Sequence, residues 1–319
     1  MEEVEIPRSN IFFNIFLIVI TILVIVMLIL YYLEPFSQQT FLAKNNDGNT
    51  NFSLGLDIGT TPDEVMQFYP NMRYQDKRIS YKINEQCSLA KKEDAIRALN
   101  ILENKTILEF YPVLDNEEIS IACEERSRPS EDKSFFVAGE GGPTNITSAG
   151  LFNIIHKGEI LLIRKTNCAE PNIALHEFMH ALGFEHSENP NNIMYEISNC
   201  DQKLGEDSIK FIDRIYSIPS QPDLIIKTLS AETHSRYLDF QIEIQNQGLA
   251  PSGEAEIVVY SNGDEIKSFP LEPIDVGYGR NITYENIFTI ITPKELEFVI
   301  ATNFEEINKK NNKKELTIA

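Results

Sequence analysis

The sequence predicts an α+β domain set between an N-terminal membrane-spanning helix and a C-terminal β-sandwich. Three observations carry this. Ile11 to Leu33 is an almost unbroken apolar run, with clearly polar residues only at Asn14 and Thr21. From Ile79 to Tyr216, strand-like segments alternate with segments of helical periodicity. From Leu224 onward the apolar segments are short and separated by turns rich in Gly, Asn and Asp.

The apolar run comes first. As a helix, residues 11–33 would be roughly 35 Å long, enough to cross a bilayer core. A soluble core helix of this length needs a polar face, and the run has none. It is longer than the apolar region of a secretory signal, and no small-x-small cleavage site follows it. Tyr31 and Tyr32 stand where an aromatic belt is expected. The reading is therefore an uncleaved signal anchor, with a cleaved signal as the alternative. Residues 1–10 form a short cytoplasmic tail and residues 34–57, rich in Asn, Gln, Ser, Thr and Gly, a flexible stalk.

Arg8 before the run and Lys44 after it give little charge bias for orientation. The cysteines and glycosylation sequons decide it. All four cysteines, Cys87, Cys123, Cys168 and Cys200, follow the run, and an even number suits disulfides in an oxidising compartment. The N-x-S/T sequons at Asn51, Asn104, Asn145 and Asn281 also follow it. Both place the C-terminal bulk outside the cell membrane, crossed once. The formal net charge of −20 argues against a nucleic-acid partner, because phosphate binding needs an excess of Lys and Arg. Hydrophobic residues make up 42% of the chain, enough to bury a core.

Residues 58–218 make the α+β domain. Ile79 to Ile83 alternates as a half-buried strand does. Ala95, Ile96, Leu99 and Leu102 fall at helical spacing. Thr106 to Tyr111 and Ile119 to Cys123 are further strands, and Gly139 to Pro143 is a loop by composition. Leu151 to Ile155 and Glu159 to Ile163 would form a hairpin around His156-Lys157-Gly158. A last helix runs from about Glu206 to Tyr216. After the linker Ser217 to Pro222, residues 219–319 form the sandwich. Its expected strands are Leu224–Ile226, Leu238–Ile244, Glu256–Tyr260, Ile282–Ile290 and Leu296–Ala301, and Asn308 to Lys314 is expected as a solvated turn or tail.

The informative stretch runs from His176 to His186 and fits H-E-x-x-H-x-x-G-x-x-H. Two histidines four apart on a helix share one face, so His176 and His180 can reach one ion. Gly183 can take a positive φ and end the helix sharply, which brings His186 back as a third ligand. Three protein ligands leave one position open, the arrangement of a catalytic zinc ion. Zinc brings the pKa of its water to about 7, and Glu177 is placed to act as the general base. The chemistry expected is hydrolysis of a peptide or protein by a single Zn2+ ion. Glu185 and Glu188 are expected in solvent, His156 at the surface, and His234 apart from the site.

Met194 lies eight residues past His186, followed by Tyr195. With the extended zinc motif and Ser187 after the third ligand, these residues resemble the metzincin peptidases, most closely the matrixin-like branch. The resemblance spans about residues 65 to 218, with specific motifs only at 173–195. It implies that Met194 forms the Met-turn beneath the zinc and that Tyr195 is structural, with assistance to the oxyanion, as by a tyrosine in some metzincins, as the alternative. Met179 stands where Gly is common, and Glu196 where matrixins usually carry Pro. No matrixin-type cysteine switch is present.

Wide spacing without C-x-x-C favours disulfides over a second metal site. Of three connectivities, Cys87–Cys123 with Cys168–Cys200 is expected, the second bond stapling the Met-turn region to the start of the catalytic helix. Pro222-Asp223-Leu224, Asn246 to Gly253 and Val258-Val259-Tyr260 resemble the CARDB family of Ig-like modules. That resemblance implies a seven-stranded sandwich serving adhesion or spacing, with a cell-surface ligand as its partner. Two functions follow: a membrane-anchored extracytoplasmic zinc endopeptidase, or a non-catalytic adhesion protein with a structural zinc site. Glu177 favours the first, since a structural site has no need of it.

Overall fold

The computed structural model describes residues 67–125, 128–129, 136–165, 168–290 and 292–318, and the helical residues Val19, Thr21 and Leu23. Apart from those three, the expected membrane span at 11–33 lies outside the described residues, as do the tail and the stalk. Among the described residues, no helix is long and apolar enough to cross a membrane. Residues 53–319 form one compact unit, separate from residues 1–52.

The α+β part is organised by a six-stranded sheet. Its strands are β1 (Met72–Tyr74), β2 (Arg78–Ile83), β3 (Glu109–Pro112), β4 (Ile119–Cys123), β7 (Gly139–Ala149) and β8 (Phe152–Leu162). A small ribbon pairs β5 (Arg128–Pro129) with β6 (Phe136–Val137). The strand order β1-β8-β4-β2-β3 is parallel throughout, and β7 alone runs antiparallel, on β8. The central strands carry buried Ile79, Ile119, Ile121, Ile154, Ile155, Ile160 and Leu162. In β4 and the second half of β8 the buried residues alternate with more exposed ones, so one face is the more deeply packed.

Among the described residues, three helices complete the domain: α1 (Leu89–Lys105), α2 (Asn172–Ala181) and α3 (Glu206–Tyr216). Helix α1 buries Ala95, Ala98, Leu99 and Leu102 at helical spacing. Ile96, expected on this face, points to solvent, and Ala98 takes its place. Helix α3 buries Ser208, Phe211, Ile212, Ile215 and Tyr216 against the domain core.

Two expectations for this region are corrected. The hairpin turn is not at His156-Lys157-Gly158: β8 runs straight through, and the turn joining it to β7 lies at Gly150 and Leu151, with Gly150 at φ 54°. Gly158 serves a close approach instead, since a Cβ there would come within 2.4 Å of the Tyr74 hydroxyl. That hydroxyl donates to Ala181 O at 3.0 Å and ties the sheet to the end of α2. Likewise Gly139 to Pro143 is not a loop but the first half of β7.

The C-terminal part is a sandwich of two antiparallel sheets, in the orders β13-β10-β9 and β12-β11-β14-β15. The strands are β9 (Leu224–His234), β10 (Tyr237–Asn246), β11 (Ala255–Ser261), β12 (Asp264–Leu271), β13 (Gly279–Phe288), β14 (Glu295–Thr302) and β15 (Lys313–Thr317). Alternate residues of β10 (Leu238, Phe240, Ile242, Ile244) face its core together with Ile257, Val259, Phe298 and Ile300. Asn262 and Gly263, both at positive φ, make the tight β11–β12 turn. The sequence reading missed β12 and β15. Strand β12 is an edge strand with Pro270 and few buried residues. The stretch 308–314 is no free tail: Asn308 leads into a short 3-10 turn, Lys309–Asn311, and then into β15.

Candidate metal centre

Helix α2 is short, wholly packed and carries the first two histidines on one face. His176, Glu177 and His180 are all buried. The helix ends in a Schellman turn, in which Phe184 N–H donates to Met179 O at 3.1 Å and Gly183 N–H to His180 O at 2.9 Å. Gly183 sits at φ 94°, and a Cβ there would meet Met72 Cβ at 2.8 Å, so a side chain is excluded on two grounds. Beyond the turn the chain doubles back and delivers His186.

The three imidazoles converge. His180 Nε2 lies 3.0 Å from His176 Nε2 and 3.1 Å from His186 Nε2. The other ring nitrogens of the buried pair face main-chain acceptors: His176 Nδ1 donates to Ile193 O at 2.6 Å and His180 Nδ1 to Phe184 O at 2.7 Å. These bonds fix the tautomer, so both Nε2 lone pairs point inward. Burial, followed by the mutual influence of the histidines, lowers the pKa of His180 to about 4, and burial likewise lowers that of His176. Neutral imidazoles with facing lone pairs repel unless a cation lies between them. The nitrogen set and spacings fit zinc, which binds His nitrogen at about 2.0–2.1 Å in tetrahedral geometry.

Glu177 projects beside this cluster, against β7. A Cβ on Gly139 would lie 2.6 Å from Glu177 Oε1, and one on Gly141 would lie 2.5 Å from Glu177 O. The bare backbone of β7 is what admits the carboxyl group. Burial, then the nearby Glu140, raise the Glu177 pKa to about 8.

The segment after His186 is built around Met194, which is buried. Its carbonyl accepts from Ser187 N–H at 2.8 Å, and its own N–H donates to Asn192 Oδ1 at 2.9 Å. The preceding carbonyl, Ile193 O, is the acceptor for His176. Cysteines pair as Cys87–Cys123 and Cys168–Cys200. The second bond joins the approach to α2 to the end of the Met194 loop. Asn172 reinforces it, donating to Asn199 O at 2.7 Å. Gln202 donates to Pro190 O and Ile197 O and orders the loop between them.

Of the other singled-out residues, His156 stands apart from the cluster, paired with Thr147 Oγ1 at 2.9 Å, and His234 lies at the end of β9. Glu188 is exposed, but Glu185 is half-buried and with Phe68, Gly141, His180 and His186 lines a hollow of about 490 Å³. Asn104, Asn145 and Asn281 are exposed, and Asn51 lies outside the described residues. The sequence reading missed Phe68, whose ring stacks on His180 at 5.9 Å, and the glycines of β7. It also missed the two carbonyls that orient the histidines. A glycine cluster marks a loop by composition as readily as a strand, and main-chain acceptors leave no mark in a sequence.

Fold and cluster together define a mixed α/β domain with a three-histidine cluster that could hold a metal ion, followed by a β-sandwich. Residues 72–217 match the family model described as matrixin, and residues 221–316 match that described as CARDB. The chain thus carries a matrixin domain joined to a CARDB domain. No curated protein matches the chain. Among solved structures, the CARDB domain of the PF1109 protein from Pyrococcus furiosus, in complex with di-metal ions, is 16% identical with a TM-score of 0.26, covering 31% of this chain and 90% of that one. A domain of a Methanosarcina acetivorans protein, solved in solution, has the same identity, TM-score and share of this chain, and is covered over 93% of its own length.

Proposed function

We propose that the protein is a membrane-anchored, extracytoplasmic zinc endopeptidase, with His176, His180 and His186 as ligands and Glu177 as general base. The single observation that carries this is the convergence of three imidazole nitrogens, those of buried His176 and His180 and of exposed His186, beside a buried carboxyl group. A structural site would not need the carboxyl. Zinc held there supplies Lewis-acid polarisation of the scissile carbonyl and lowers the pKa of water. Glu177 takes the proton of the attacking water and passes it to the leaving amine. Its burial gives the carboxylate the proton affinity that this shuttle needs, tempered by the positive charge of a bound ion. Met194 packs beneath the histidines as a Met-turn, and its loop holds His176 in orientation through Ile193 O.

Strand β7 supports the endopeptidase reading. It pairs with β8 along one edge, and its glycine-rich half lies against Glu177. An extended peptide added along the other edge would be held by main-chain bonds next to the base, without recognition of either terminus. The apolar run at 11–33 supplies the anchor, and the disulfides and exposed sequon asparagines suit an outside location.

The test is metal analysis joined to digestion of an unbiased peptide library. The full chain is expected to hold about one zinc and to cut internal bonds. Glu177→Ala should keep the zinc and lose activity by about a thousandfold or more. A chain without zinc, or a Glu177→Ala variant with unchanged turnover, would overturn the reading.

A further inference from the structure

Strand β7 is a poor strand by composition. Its first five residues are Gly139, Glu140, Gly141, Gly142 and Pro143, which bring few side chains to pack and one residue without an N–H. Its ladder to β8 is irregular between Pro143 and Ile146. A strand like this depends on what holds its two ends. One end is the glycine segment pressed against Glu177. The other is the hairpin tip, and that tip is packed against the C-terminal domain.

Two loops of the sandwich make this contact. Gly277, at φ 79°, is so close that a Cβ would meet Thr147 Cγ2 at 2.7 Å and Ser148 O at 2.8 Å. Gly150 of the tip lies as tightly on Gln247, whose Cβ would be 2.9 Å from a Cβ placed there. Leu249 is fully buried, and it and Val276 belong to the hydrophobic core of the peptidase domain rather than that of the sandwich.

Asn246 sets the shape of both loops. Fully buried, it accepts from Asp223 N–H at 3.1 Å and Gly248 N–H at 3.0 Å, and donates to Ala250 O at 2.8 Å and Ile274 O at 2.9 Å. This uses both lone pairs and both N–H groups of its amide. One side chain therefore fixes the linker, the 247–250 loop and the 274–278 loop together. The linker is also bound along its length, with Leu249 N–H donating to Gln221 O and Ile307 N–H to Pro222 O.

We propose that the CARDB domain is a fixed brace of the cleft. Asn246, Leu249 and Gly277 act as positioning residues, clamping the β7–β8 hairpin so that β7 keeps its place beside Glu177. The domain is then a working part of the peptidase and not only an adhesive or spacing module.

The experiment uses the zinc-loaded full chain and the variants Leu249→Ala and Asn246→Ala, with Leu249→Met as the conservative control. Amide hydrogen exchange along Gly139–Ala149 is expected to rise about tenfold in both alanine variants, while β2, β4 and α1 keep their protection. On a cleavable peptide, kcat/KM should fall about tenfold, mainly through KM, with zinc content unchanged and Leu249→Met close to wild type. The proposal is overturned if β7 exchange is unchanged, or if it rises equally across the whole domain, or if kcat/KM holds while β7 loosens. Should one alanine variant fail to fold, the other carries the same readouts. The activity arm rests on the peptidase reading, whereas the exchange arm does not. A wild-type chain that cuts nothing would count against the peptidase reading, and β7 exchange would still decide the brace.

Discussion

The two domains place their buried polar groups differently. In the matrixin domain they run through the interior: His176, Glu177 and His180 in α2, Arg73 in β1, Lys91 in α1. Arg73 donates to Tyr74 O and Ile218 O, and its guanidinium lies 4.6 Å from the centre of the Tyr216 ring. In the sandwich the centre is apolar and aromatic, with Phe240 within 6 Å of Phe269, Phe298 and Tyr284 by ring centroid. Its buried Asp223, Asn246, Glu306 and Asn312 gather around the linker and the strand ends near it. The comparison teaches that the largest groups of buried polar side chains lie at the histidine cluster and at the joint between the domains, where each finds partners that offset the cost of its burial.

The largest effect that probes this contrast is in the sandwich. Phe240→Ala should cost about 3–5 kcal/mol by opening a cavity in the aromatic cluster. Denaturant unfolding should report this loss with zinc binding affinity unchanged in the folded fraction. Equal loss of zinc affinity would show that the two interiors are not separable.

The disulfides give the next test. Their loops are similar, with separations of 36 and 32 residues, so removing either should cost a similar amount, about 3–4 kcal/mol in the chain-entropy model. Zinc retention should differ. Replacing Cys168 and Cys200 by Ala frees the loop that carries Ile193 O and should speed zinc loss to a chelator. Replacing Cys87 and Cys123 should leave it near wild type, because that bond joins the start of α1 to β4. Similar chelator rates for both would break the distinction.

The smallest effect is a pH dependence of the metal-free protein. His180 has a folded pKa of about 4, below its ordinary 6.5. Its contribution is therefore present above pH 6.5 and is lost as pH falls toward 4. Glu177 has the opposite sign: raised to about 8 from 4.5, it contributes below pH 4.5 and loses that contribution as pH rises through 8. Between pH 4.5 and 6.5 the two oppose each other. Glu177→Gln removes one of them. The metal-free variant should gain on the metal-free wild type as pH rises from 4.5 to 8, by on the order of 1–3 kcal/mol. Thermal unfolding across this range measures it, and a difference that stays constant with pH would show that Glu177 is not held in the environment described.

Much of the site was legible because its chemistry is local. Two histidines four apart, a glycine that ends the helix and a third histidine three residues later lie in one stretch of eleven residues, and helix geometry alone brings the first two together. Periodicity also gave α3 and most of the central strands. It failed at Ile96, which is apolar but lies off the single helical face formed by Ala95, Ala98, Leu99 and Leu102. It failed again at Gly158, where a residue that usually marks a turn makes room for the Tyr74 hydroxyl.

The sequence by itself determined the candidate three-histidine set with its neighbouring carboxyl group, and the order of an apolar run, an α+β domain and a β-rich module. Those follow from spacing, residue chemistry and hydrophobic periodicity, which act over a few turns or strands. The tertiary structure decided which carbonyls orient His176 and His180. It also made a glycine-rich stretch the strand that admits Glu177, and it placed Leu249 and Val276 in the core of the neighbouring domain. Each of these depends on backbone groups or surfaces far apart in the chain, whose meeting is fixed only when the sheet, the loops and the second domain close on one another.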